Sequence, residues 1–225
     1  MSPTDPRPTG AKPASAPLGW LEPRALDLDS VPTNDGRTLT DVMRTRRSAR
    51  TMTAPPIEAV AQVVRKTLLA DFAGVGSNHG RKLKAVVSAG ALHPIQSVIV
   101  SGACDPVIYD DDSDQFFSVQ VRDDVRLQAF VENCRTVLPD AGGCWVALIA
   151  DCRDLSSLYT DHQSLLWRDA GAVIQMMALV AEAHGLAFCP LGILGTEIVE
   201  ALLTNHHHHH AVAVGVMAIG KGEAA

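Results

Sequence analysis

The chain has 225 residues, 47% hydrophobic, 20% charged and 4% aromatic, the composition of a globular protein, and at roughly 150 residues per domain it predicts one main domain. Its 19 basic and 25 acidic residues sum to −6, so the surface repels phosphate backbones, and the few aromatics offer no base-stacking platform. Both features argue against a nucleic-acid binder.

Seven of the 13 prolines fall within residues 1–35, mixed with Ser, Thr, Gly and Ala. Such a segment has little periodic apolar surface to offset its ordering entropy, so residues 1–37 are expected to form a flexible arm and residues 38–225 the domain. Thr38 or Thr40 can cap a short helix carrying Leu39, Val42 and Met43 on one side. Pro55-Pro56 opens a second helix, with Ile57, Val60, Ala61, Val64 and Leu68 at helical spacing. Gly74 to Leu92 reads as a long loop. Ser97 to Ser101 reads as a strand, and Val107 to Tyr109 with Phe116 to Val121 as a hairpin around the acidic turn Asp110 to Asp114.

A helix is expected over Asp123 to Cys134. Cys144 to Ala150 is apolar on both faces, as a central strand would be. The longest helix runs from Gln163 to His184, with Leu166, Ala170, Val173, Met177 and Val180 as its stripe and Gly185 as its terminator. No apolar run reaches the roughly 18 residues of a membrane helix, because Gln175, Glu182 and His184 interrupt the longest one. A last helix near Thr196 to Thr204 leads to a strand, Ala211 to Ile219. Helices first, then a meander with one long helix, favour an α+β layer fold over a doubly wound one. The start of the chain lacks the apolar core of a signal peptide, and the five cysteines (Cys104, Cys134, Cys144, Cys152, Cys189) form no C-x-x-C pair. Reduced thiols in a cytoplasmic protein are the simplest reading.

Three motifs fail on inspection. Gly74-Val75-Gly76 with Gly80 has the wrong spacing for a dinucleotide fingerprint and follows a helix instead of a strand. Asp110, Asp112 and Asp114 resemble the start of a calcium loop, yet Gln115 and Val121 occupy its Gly and Glu positions. The run His206 to His210 could chelate a transition metal, but it lies between a helix and a strand and reads as an exposed loop. No metal is expected.

Four segments remain whose chemistries suit one ligand. Arg46-Arg47-Ser48-Ala49-Arg50 gathers guanidiniums and a hydroxyl after a short helix, either a solvated helix end or a phosphate clamp. Ser88-Ala89-Gly90-Ala91-Leu92-His93-Pro94 lets backbone approach a flat ligand and ends in a candidate proton donor. Cys189-Pro190-Leu191-Gly192 offers backbone N–H groups to a ring heteroatom, and Lys221 adds a second cation.

Taken in this order, R-x-R-R-S-x-R at Arg44 to Arg50, S-A-G-A-L-H-P at Ser88 to Pro94, D-A-G-x-x-x-Q at Asp169 to Gln175 and H-G-L-x-x-C-P-L-G at His184 to Gly192 resemble the FMN-dependent nitroreductase superfamily, in its SagB-type azoline dehydrogenase branch. The resemblance spans about Leu39 to Lys221. It implies a nitroreductase-like α+β fold, a mostly antiparallel sheet packed with helices, and a homodimer with FMN at the interface. It implies that Arg46, Arg47, Ser48 and Arg50 hold the phosphate and ribityl chain with help from Lys221. Ser88, Ala89 and Gly90 would line the isoalloxazine, Pro190, Leu191 and Gly192 would meet flavin N5 and O4, and Gln175 would lie nearby.

The implied activity is hydride transfer at flavin N5 on a natural-product or peptide intermediate, within a biosynthetic complex. An NAD(P)H-dependent nitro or quinone reductase and a non-catalytic flavin-binding scaffold stand as alternatives. One departure matters: the branch has an adjacent Lys-Tyr pair ahead of the long helix, and this chain has Leu158-Tyr159. Tyr159 and His93 are then the candidate acid–base groups, His93 with an expected pKa near 6.5, and azoline oxidation is expected to be slow.

Overall fold

The structure, a computed structural model, describes residues 5–12, 18–28, 36–73, 82–102, 104–204 and 209–222. Gly74, Gly76, Gly80 and His206 to His208 lie outside the described residues. The elements in chain order are β1 (Arg24–Leu26), α1 (Leu39–Thr45), α2 (Ile57–Leu68), β2 (Ala70–Ala73), β3 (Lys82–Lys84), β4 (Ile95–Val100), β5 (Val107–Asp110), β6 (Gln115–Ser118), α3 (Asp124–Val137), β7 (Cys144–Asp151), α4 (Arg153–Leu158), α5 (Gln163–Ala183), β8 (Ala187–Leu191), α6 (Glu197–Leu202) and β9 (Ala211–Gly220).

Seven strands form one sheet in the order β1-β6-β5-β4-β7-β9-β8, and every neighbouring pair is antiparallel. The central strand β7 shows why the architecture is layered. Its Cys144, Val146, Leu148 and Ala150 enter one apolar cluster, while Trp145, Ala147 and Ile149 enter the other. A strand apolar at every position must be covered on both faces. Helices α2 and α5 cover the first face and α3 and α6 the second. Leu148 and Ile149 are wholly buried, each contributing about 2 kcal/mol of transfer free energy. This is the α+β sheet-and-helix arrangement expected from the sequence.

Thr38 supplies the cap of α1, its hydroxyl accepting from the Asp41 N–H at 3.2 Å. Helix α5 ends at Gly185, whose φ of +69° suits glycine. By length and composition α5 could cross a membrane, but eight of its residues, Leu165 to Ala181, are buried in this fold.

Three differences from the expected elements have simple causes. The sheet begins at β1, inside the segment expected as an arm, because Arg24–Leu26 pair with Phe116–Ser118 at the sheet edge; a three-residue strand leaves no period to read. Part of the expected loop Gly74 to Leu92 is ordered, since β2 pairs with β3 and Ala89–Ala91 make a 3-10 turn. The segment Cys189 to Gly192, given no element from the sequence, lies mostly in the edge strand β8, in which Pro190 is tolerated because it stands at the edge of the sheet.

Gly143 leads into β7 where β9 passes closely: a Cβ added there would lie 2.5 Å from the Ile219 carbonyl oxygen. Backbone cannot yield as a side-chain end can. Gly143→Ala should therefore cost about 1–3 kcal/mol, seen as a lower midpoint in urea unfolding with an unchanged slope.

Candidate active site

The segment after α1 runs along the open edge of β8. Ser48 bridges Phe188 in parallel sense, and the Ala49 N–H donates to the Phe188 carbonyl at 3.0 Å. Thr53 pairs with Lys221 through two backbone hydrogen bonds of 2.9 Å. The Arg46–Arg50 segment and Lys221 are thus brought to one end of β8 and β9. Arg50 lies close enough to Cys189 to favour its thiolate, although burial dominates and pushes that thiol up. Ser48, Arg50 and Lys221 are exposed, and among the described residues neither Arg50 nor Lys221 is in an ion pair.

Arg47 is used differently, donating to the carbonyls of Arg44 at 2.8 Å and Arg46 at 2.9 Å to close α1. From Phe188, β8 leads to Leu191 and Gly192, roughly 10 Å further at strand rise. Gln175 is exposed on α5, next to Ile174, which packs over Gly215 of β9 one residue from the Leu191 partner Val216. Exposed cations with spare donors at one end, and strand and glycine backbone at the other, fit a phosphorylated flat cofactor.

The second group stands elsewhere. Asp169, in the first half of α5 and only 6% exposed, accepts from the Ser88 hydroxyl at 2.6 Å and from the Ala89 N–H at 3.1 Å. Ser88 Oγ in turn accepts from the His93 N–H at 3.0 Å. These bonds hold a loop with three left-handed residues, Gly90 (φ +60°), Ala91 (φ +53°) and His93 (φ +48°). Left-handed Ala and His are strained and persist only where surroundings over-determine them. Burial raises the Asp169 carboxyl, with Ser88 and Ala89 opposing.

A Cβ on Gly90 would lie 2.7 Å from the Tyr159 hydroxyl, so the phenol of Tyr159 packs directly on this loop. Close by, Lys84 is 3% exposed and pairs with Asp111 of the acidic hairpin at 2.8 Å. Asp114 of the same hairpin holds Arg65 and accepts from the Tyr109 hydroxyl. The acidic turn is therefore engaged in pinning β3 and α2, and is less freely solvated than its sequence implies. Burial, then the Lys84 charge, lowers His93 from 6.5 to about 4, with Asp111 opposing. The expected value near 6.5 is corrected: His93 is neutral at physiological pH.

The four segments do not converge within one chain. Pro94 accepts from the Asp151 N–H at the far end of β7, whereas Lys221 follows β9 at the end where Cys144 pairs with Ile219. β4, which follows the loop, is three strand spacings from β8, roughly 14 Å. Asp169 itself was missed as a positioning residue. An ionisable residue in a stripe otherwise apolar, Leu166, Ala170 and Val173, was the available signal.

The nitroreductase family profile matches residues 43–221, and the chain belongs to that family. Its fold matches a protein described as a nitroreductase from Ralstonia eutropha JMP134 with a TM-score of 0.65 and 13% identity, over 93% of this chain and 100% of that one. A similarly described protein from Anabaena variabilis ATCC 29413 gives 0.62 and 15% over 94% of this chain, which spans only 45% of that protein. One from Desulfovibrio desulfuricans, solved in complex with FMN, gives 0.51 and 16%, covering 84% of this chain and 88% of that one. At these identities the likeness is one of fold. No curated protein matches the sequence.

Asp169→Ala should leave the Ser88 hydroxyl and Ala89 N–H without their acceptor, costing about 2–4 kcal/mol and speeding hydrogen exchange at Ala91 and Leu92 more than in β7. His93 supplies a pH dependence. Between 6.5 and about 4 the unfolded chain binds a proton that the folded chain refuses. Its contribution to stability is complete above 6.5 and is lost as pH falls toward 4. His93→Gln should flatten that limb of the pH–stability curve, measured by urea unfolding at fixed ionic strength.

Proposed function

We propose that this chain is an FMN-dependent oxidoreductase whose flavin is completed by a second copy of the chain. The observation that supports this most is the cation set Arg46, Arg50 and Lys221, placed with Ser48 at one end of β8 while Leu191-Gly192 follows at the other. Arg46, Ser48, Arg50 and Lys221 hold the phosphate and ribityl chain, with Arg47 shaping the turn that presents them. Backbone at Pro190, Leu191 and Gly192 meets the polar edge of the isoalloxazine, and Gln175 reaches it from α5. Bound FMN supplies hydride transfer at its N5.

The loop Ser88, Ala89 and Gly90 stands at the opposite end of the sheet and lines the flavin held by the partner. The homodimer follows from the same division, and the exposed side of α5, with Trp167 45% exposed, is a surface that assembly would cover. Tyr159 and His93 travel with that loop as the acid–base candidates. Neutral His93 can accept a proton across the physiological range, and its lowered pKa makes it a weak base.

Within the family, the SagB-type reading rests on S-A-G-A-L-H-P and the acidic hairpin, and assigns a natural-product or peptide intermediate as substrate in a cytoplasmic biosynthetic complex. Leu158 beside Tyr159 lacks the ammonium that would assist proton removal, so azoline oxidation is slow. The cofactor assignment is tested by flavin retention. Purified protein should release FMN on denaturation, and Arg50→Ala should lower FMN occupancy severalfold. Arg65→Ala, whose guanidinium is held by Asp114, should not. Equal occupancy in the two variants would remove the clamp.

A further inference from the structure

The N-terminal segment reaches the candidate site through Tyr159. Pro8 pairs with Tyr159 in antiparallel sense, and four hydrogen bonds bracket that residue. The Thr9 N–H donates to the Leu158 carbonyl at 2.9 Å, and the Thr160 N–H donates to the Arg7 carbonyl at 3.0 Å. The Thr9 hydroxyl donates to the Ser157 carbonyl at 2.6 Å, and the Arg7 N–H to the Thr160 hydroxyl at 3.3 Å.

Without this ladder the stretch would be a short link between α4 and α5 with little to fix it. Tyr159 is extended, with φ −134° and ψ 132°, and Asp161 just after it is left-handed at φ +50°. Helix α4 is only six residues long and buries Leu155 alone. The phenol of Tyr159 nevertheless packs against Gly90 of the loop that Asp169 holds. The ladder and the loop therefore clamp Tyr159 from its backbone side and its hydroxyl side.

We propose that Arg7 to Thr9 form a strap that positions the Tyr159 side chain against the Ser88–Gly90 loop, with Thr9 as the positioning residue. The consequence for catalysis rests on the acid–base reading of Tyr159; the placement of the phenol does not. Extra chain pairing with Leu158–Thr160 gives the site a part that lies far from it in sequence, and any partner that drew residues 5–12 away would release the phenol.

The test exploits the fact that the chain has two tyrosines. Full-length protein labelled with 3-fluorotyrosine should give two fluorine resonances, that of Tyr159 assigned by its loss in Tyr159→Phe. Thr9→Pro, which removes both the N–H and the hydroxyl donor, should move and narrow the Tyr159 resonance toward that of a mobile fluorotyrosine. The resonance of Tyr109, buried in β5 with its ring on Phe116, should stay, which reports an intact core. Thr9→Ser, which keeps both donors, should restore the wild-type spectrum, and exchange of the Thr160 amide should rise at least tenfold in Thr9→Pro alone. An unchanged Tyr159 resonance in Thr9→Pro would overturn the strap. A shifted resonance in a protein whose turnover of NADH and menadione is indifferent to Tyr159→Phe would retain the strap and overturn the acid–base reading.

Discussion

Helix α5 carries one carboxylate in its first half, Asp169, and one in its last turn, Glu182, and these two groups decide where the Ser88–Gly90 loop and the Arg46–Arg50 segment stand. Asp169 grips the Ser88 hydroxyl and the Ala89 N–H. Glu182, thirteen residues on, accepts from the Thr45 hydroxyl at 2.6 Å and from Arg37 at 2.9 Å. Burial alone would raise Glu182, but Thr45 and Arg37 outweigh it and hold the carboxyl below its ordinary value. That second grip fixes α1, and the chain leaves α1 directly into Arg46–Arg50. At 1.5 Å per residue the two grips are about 20 Å apart on one rigid rod. A loop and a cation set so placed cannot slide toward each other, and this separation is what the proposed two-chain flavin site rests on.

The chemistry that follows is one of restraint. The loop at Gly90, Ala91 and His93 is held in left-handed conformations that an untethered chain would leave, and the buried Asp169 is what makes them persist. His93 is kept neutral by burial and by the Lys84 charge, itself held by Asp111. Tyr159 is fixed between this loop and the strap. Each group on this side is thus poised by its neighbours: the loop by Asp169, His93 by Lys84, and Tyr159 by Gly90 and the strap. On the other side Arg50 and Lys221 are exposed and Arg46 is half-buried, and guanidinium and ammonium groups of this kind suit a phosphate.

Much of the fold was legible in the sequence because long elements have clear periods. β7 reads as a central strand from seven consecutive apolar residues, Cys144 to Ala150, and α5 from a stripe of Leu166, Ala170, Val173 and Met177 followed by Gly185. The short elements were not legible. β1, β2 and β3 have three or four residues each, too few to show alternation, and their pairing is set by tertiary neighbours. β8 was hidden by Pro190, which argues against a strand unless its edge position is known. The cation set could be read because arginines cluster within five residues. Asp169 stood out only as an ionisable residue in an apolar stripe; what it holds was not legible, since its partners lie some eighty residues away in sequence and only folding brings them together.

Sharing of each flavin between the Arg46–Arg50 edge of one chain and the Ser88–Gly90 loop of another, as proposed, is tested directly by subunit mixing. Arg50→Ala and Gly90→Val chains carrying different affinity tags would be co-expressed, and the species bearing both tags isolated. Shared sites leave one site with neither defect and one with both. This mixed dimer should retain close to one FMN per two chains while each parent variant retains little. A mixed species no richer in FMN than its parents would show that the site is built within a single chain.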